Sequence, residues 1–219
     1  MNTGAPSERT RIRRQPKRAV YDRERIDAIL DEALICHLGL AVEGQPFVVP
    51  TIHARLGDAV YVHGSSASRA IRSLAGGVPA CLTATILDGV VLARSAFHHS
   101  MNYRSVMVVG EAWRVTDAAE KERALVAISE HVCPGRWDDV RAPNRLELKA
   151  TSVLRIGLEE ASAKVRQGPP GDDDEDLALS CWAGVVPLSL VAGAPVPAPD
   201  LREGIAVPGY AASFRPPAS

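Results

Sequence analysis

Residues 61–72 read YVHGSSASRAIR, and they form the first stretch equipped for chemistry. A β-branched run ends at Gly64, passes Ser65, Ser66 and Ser68, and enters a short helical pattern carrying Arg69 and Arg72. That order suits a phosphate monoester. Helix N-terminal N–H groups carry partial positive charge, hydroxyls donate to phosphate oxygens, and a guanidinium adds a bidentate contact. A capped surface helix with two solvated arginines explains the same letters.

Two further stretches concentrate polar and aromatic groups. Residues 95–106 read SAFHHSMNYRSV, more hydrogen-bonding capacity than a loop entering a core strand needs. A polar heteroaromatic ligand would use it. His98 and His99 are adjacent, so their side chains diverge on a strand or a helix, and no third ligand accompanies them at useful spacing. No metal site is expected. Residues 181–188 read CWAGVVPL, where Trp182 follows a polar loop and could wall a planar-ligand pocket.

The elements that position these stretches follow from periodicity. Asp22 caps a helix over residues 23–33, with Ile26, Ile29 and Leu30 on one face. Strands are expected at 36–42, 47–55 and 59–63, the last two joined by a Gly57-Asp58 turn. A short helix within 65–74 is followed by a strand at 80–87. Asp88-Gly89 reads as a hairpin turn into 90–93. A strand at 107–115, a helix at 118–132 capped by Asp117 and a strand at 151–158 complete the series. The order predicts a mostly β, α+β fold, an antiparallel barrel with flanking helices, and excludes βαβ alternation. Neither a dinucleotide glycine fingerprint nor a P-loop is present.

Composition is that of a globular protein, 46% apolar and 23% charged, with a formal net charge of -1. Nucleic acid is therefore not an expected partner. The chain has neither an apolar run of membrane-spanning length nor an apolar leader, which points to the cytoplasm. Four widely spaced cysteines, Cys36, Cys81, Cys133 and Cys181, read as free thiols. Three regions are expected: a flexible basic arm over 1–20, one domain over 21–192 and a Pro-rich extended tail over 193–219.

In order and spacing, the three stretches together resemble the pyridoxamine 5'-phosphate oxidase-like superfamily, and most closely its nitroimidazole-resistance-related flavin-nucleotide-binding branch. The resemblance covers about residues 20–190. It implies a six-stranded antiparallel split barrel and a homodimer with FMN at the interface. It also implies roles. Pro50, Thr51 and Ile52 would run beside the flavin ring. His63, Ser65, Ser66, Ser68 and Arg69 would hold the ribityl phosphate. Arg104 and Ser105 would contact ring or phosphate from the other subunit, and Trp182 would close the site. His63 is the best candidate for a functional imidazole. The chain has no Lys or Arg at Pro50 to Ile52, which points away from vitamin B6 as substrate.

Because a flavin carries its own redox chemistry, no catalytic side chain is expected from the protein. The implied function is an FMN-dependent oxidoreductase acting on a small planar substrate, a nitroaromatic or a quinone. The alternatives are a flavin-storing module without turnover, or the same barrel built around a deazaflavin or haem. His37, His53 and His131 are conceivable axial ligands, but each reads as a structural histidine.

Overall fold

The computed structural model describes residues 4–74 and 76–217; the side chains of Arg69, Ala70 and Leu74 lie outside the description. In chain order the elements are β1 (Ala19–Val20), α1 (Arg23–Glu32), β2 (Cys36–Val42), β3 (Gln45–Thr51), β4 (His53–Leu56), β5 (Ala59–Ser65) and α2 (Arg69–Leu74). Then come β6 (Gly76–Leu92), β7 (Ser100–Arg114), α3 (Ala118–Val132), α4 (Arg145–Ala150), β8 (Thr151–Gly157), β9 (Ala161–Arg166), β10 (Gly184–Pro187) and α5 (Gly209–Ala212).

All strand pairs are antiparallel, along the path β3-β2-β6-β7-β8-β5-β4. Only Ile52 separates β3 from β4, so the two ends of that path are one nearly continuous strand. The sheet therefore curls on itself, and counting β3 and β4 together gives the expected six strands. The split lies at β7. Its first half, Tyr103 to Val108, pairs with β9, and its last residues, Ala112 to Arg114, pair with β8.

Alternation sorts the side chains into two cores. Val60 and Val62 of β5 point into the barrel with Leu38, Leu82, Val108 and Ile156, and α1 plugs it with Ile26, Ile29 and Leu30. The residues between them, Ala59 and Tyr61, face outward onto α3, where Ala124 and Ile128 meet Val153. Both long helices start at the predicted caps: Asp22 accepts from the Arg25 amide at 3.1 Å and Asp117 from the Glu120 amide at 2.7 Å.

Two local readings are corrected. Asp88-Gly89 makes no hairpin. β6 runs straight through with a register shift between Leu87 and Gly89, because β10 pairs with its far end from Gly89 to Leu92. The polar stretch over 100–106 is strand β7 rather than a loop, since β6 and β9 satisfy its backbone from both sides. The end of the basic arm joins the sheet, with Ala19 opposite Lys164 and Val20 opposite Ala163.

Candidate functional site

His63 is built into place by β5. It follows Ala59 and Tyr61 on the outward face, so it points to the α3 side of the sheet. There it borders a cavity of about 380 Å³ together with Ile52, Leu125, Ile128, Trp137 and Leu148. A second cavity of about 740 Å³ adjoins it, sharing Leu125, Trp137, Pro143 and Leu148. The volumes are those of ligand pockets. The His63 Nδ1 atom is buried and has no hydrogen-bond partner. Burial lowers its pKa below the ordinary histidine value. Burial thus favours the neutral form of the ring.

The serine corner adjoins this cavity. Ser65 closes β5 opposite Thr151, which also lines the cavity. The turn is tightly bonded: the Ser66 amide donates to the Ala150 carbonyl at 2.8 Å, the Ser68 amide to the Ser65 carbonyl at 2.9 Å, and the Ala67 amide to Ser65 Oγ at 3.2 Å. Arg69 opens α2, and its side chain lies outside the described residues. Thr51 ends β3 immediately before Ile52, and Pro50 is exposed on the same strand. Pro50, Thr51, Ile52, His63 and the serines therefore gather at one end of the barrel.

The other candidates do not join them within one protomer. Arg104 lies on β7 one residue from Tyr103, which faces Arg166, whereas Trp113 marks the opposite end of the strand near β8. Tyr103 and Trp113 are ten residue steps apart, about 33 Å along the strand. Arg104 is already engaged: its guanidinium donates to Asp88 at 2.7 Å and to Glu32. These carboxylates raise its pKa further above the ordinary arginine value. Ser105 Oγ donates to the Lys164 carbonyl at 3.3 Å. Trp182 lies just before β10, opposite the far end of β6, and is 66% exposed.

His53 and His131 are structural by position. His53 Nε2 donates to the Leu30 carbonyl and His131 Nε2 to the Ala33 carbonyl, both at 2.9 Å, with ring centroids 5.0 Å apart. Together they bind β4 and α3 to the end of α1. His37 is exposed on β2.

The cavity walls Leu125, Ile128, Trp137 and Leu148 escaped sequence reading, because no spacing links them to His63. One signal was available. Asn144-Arg-Leu-Glu147 is a complete capping box, and it starts the α4 helix that presents Leu148. Lys121 Nζ then fastens α3 to α4 and β8, donating to the Leu148 and Thr151 carbonyls at 2.6 Å each.

Residues 22–165 match the family profile described as pyridoxamine 5'-phosphate oxidase. No curated protein matches the sequence. Among solved structures, the flavocytochrome Anf3 from Azotobacter vinelandii is 42% identical, with a TM-score of 0.90 over 96% of this chain and 98% of that one. An FAD- and haem-binding protein from Mycobacterium smegmatis is 39% identical, with a TM-score of 0.84 over 88% of this chain and 95% of that one. A candidate 5-nitroimidazole antibiotic resistance protein from Bacteroides thetaiotaomicron is 26% identical, with a TM-score of 0.56 over 67% of this chain and 86% of that one.

Proposed function

The chain belongs to the pyridoxamine 5'-phosphate oxidase family, and from that premise we propose that it is a flavin-binding redox protein that also holds haem in the His63 cavity. The observation that carries the haem is the unpartnered, neutral His63 at an apolar cavity, in a chain 42% identical to a flavocytochrome. The donor set fits: haem iron accepts an imidazole, and Leu125, Ile128, Trp137 and Leu148 offer apolar walls for a macrocycle. Lys149 borders the adjoining cavity and is available to a carboxylate, whereas Arg136, on the wall of the His63 cavity, is already engaged by Tyr210 and Asp139. The flavin fits the corner beside it, where the Ser66 and Ser68 hydroxyls have no partner among the described residues and the Arg69 backbone opens α2. FMN needs no more than this corner for its single phosphate. When bound, the two groups supply hydride and one-electron chemistry; the chain's part is to bind, orient and exclude water.

The reading includes a homodimer. Trp182 and the serine corner lie at opposite ends of one protomer, so a second copy is what would bring Trp182 over the flavin. β3 supports this, because it pairs on one edge only and leaves Val48 66% exposed beside half-exposed Val49 and exposed Pro50. An apolar edge strand of this kind calls for cover. The substrate class is a small planar acceptor, nitroaromatic or quinone-like, and the setting a reducing cytoplasm, in keeping with four free cysteines.

Absorption spectroscopy and mass analysis of the small molecules released from purified protein test the assignment. Flavin and haem should both appear. A protein that stays colourless after incubation with each, and leaves flavin fluorescence unquenched, would remove the reading.

A further inference from the structure

The C-terminal tail leaves the barrel after β10 and then returns to it. Residues 191–207 are exposed throughout, and Pro195, Pro197 and Pro199 keep the run extended. Burial then resumes: Pro208, Tyr210 and Phe214 are half-buried, and Pro216 is buried. Pro216 lines a groove of about 360 Å³ with Ala33 and Leu34, just beyond the end of α1. Ordering a segment at the end of so long a tether costs entropy, so its return to the domain needs specific contacts.

Tyr210 supplies them. It lies in α5, and its hydroxyl accepts from Arg136 Nη1 at 2.6 Å and donates to Asp139 Oδ2. The Arg136 guanidinium carbon lies 5.8 Å from the centre of the Tyr210 ring. Both partners belong to residues 133–139, the turn that follows α3. Cys133, Arg136 and Trp137 of this turn wall the His63 cavity, and Trp137 also walls the adjoining one. From α3, the Glu130 carboxylate accepts from the Gly135 amide at 2.6 Å and from the Trp137 amide at 2.8 Å. Between them Gly135 takes a φ of 80°, open to glycine without strain. The helix thus grips the backbone of the turn, and the tail grips its side chains. The second grip is small and partly solvated, so its release costs far less than unfolding the barrel.

We propose that residues 208–216 form a strap that closes the His63 cavity. Docked, Tyr210 holds the 133–139 turn in place, with Trp137 against the cavity. Released, the turn swings about Gly135 and admits a large, flat, apolar ligand. That this ligand is haem rests on the reading above; that the strap governs entry does not.

The test is the rate at which N-ethylmaleimide labels each cysteine of the full chain, read by peptide mass mapping. Cys133 on the cavity wall reports the strap, buried Cys36 reports unfolding, and exposed Cys181 reports the reagent itself. Tyr210→Ala should raise the Cys133 rate at least ~10-fold, as loss of charge-assisted contacts does, and leave Cys36 and Cys181 at their wild-type rates. Tyr210→Phe, which keeps the ring beside Arg136, should raise it less. Val196→Ser, on the exposed run, should change nothing. An unchanged Cys133 rate in Tyr210→Ala overturns the strap. So does a Cys36 rate that rises in step, because the whole domain is then opening. Haem loss to an acceptor protein, measured on the same variants, separates the strap from the haem reading. Faster labelling together with faster haem loss supports both. Faster labelling in a protein that never takes haem keeps the strap and removes the haem. Haem bound, with labelling unchanged, removes the strap alone.

Discussion

His53 and His63 sit on neighbouring strands, yet their surroundings give them opposite roles. The Leu30 carbonyl can only accept, so it fixes the His53 proton on Nε2, and burial next to His131 lowers the His53 pKa from 6.5 to about 4. The folded protein therefore resists a proton that the unfolded chain takes up below 6.5. Stability is intact above that value, falls as pH drops through the window from 6.5 to about 4, and loses roughly 3 kcal/mol across it. Urea midpoints measured above and within the window should show this fall. His53→Gln should flatten it while lowering the plateau. Two arginines separate just as cleanly. Arg69→Ala should weaken flavin binding by about 1.5–3 kcal/mol, as expected for one charge-assisted hydrogen bond. Arg104→Ala should leave flavin affinity alone and lower stability by about 1–3 kcal/mol, because Asp88 and Glu32 lose their half-buried partner. Fluorescence titration and denaturation, run on both variants, distinguish the two roles.

Among the elements, α4 couples folding to the site. Its capping box fixes the turn that presents Leu148 to both cavities. Asn144→Ala should cost about 1 kcal/mol of stability and also loosen haem retention, read from denaturation and from the rate of haem loss to an acceptor protein. Equal haem loss in variant and wild type would detach α4 from the pocket. The element scale also separates what the sequence made legible from what it hid. The α1 and α3 helices were readable because cap and periodicity lie within one short window, at Asp22 with Ile26 and Leu30 and at Asp117 with Ala124 and Ile128. The run through Asp88-Gly89 was not, because its partner β10 stands about a hundred residues later, and a local turn signal cannot report a distant strand. β7 was cut short for the same reason: residues 100–106 look like a loop until β9 pairs with them. His63 and the serines were legible as a motif. The walls from α3 and α4 were not, since nothing in the spacing of Leu125 or Leu148 refers to β5.

At the scale of the whole molecule, the two ends of the barrel differ, and in the proposed dimer they would supply complementary halves of one site. The His63 end has the apolar cavity and the serine corner, and the far end has Trp182, Phe97 and a basic groove. A two-fold pair would set one end against the other, with the bare face of β3 buried between them. Val48→Glu should then turn a dimer into a monomer in analytical ultracentrifugation and weaken flavin binding, while haem, held within one protomer, stays at full occupancy. Loss of haem in that variant would place its site at the interface instead. On the proposed reading, His63 would offer its imidazole to a haem iron. The most direct measurement is the absorption spectrum of haem-reconstituted His63→Ala beside wild type, with His131→Ala as the comparison. The account predicts a Soret band that is lost or shifted to that of free haem in His63→Ala alone, with flavin absorption retained. An unchanged Soret band in His63→Ala would contradict it.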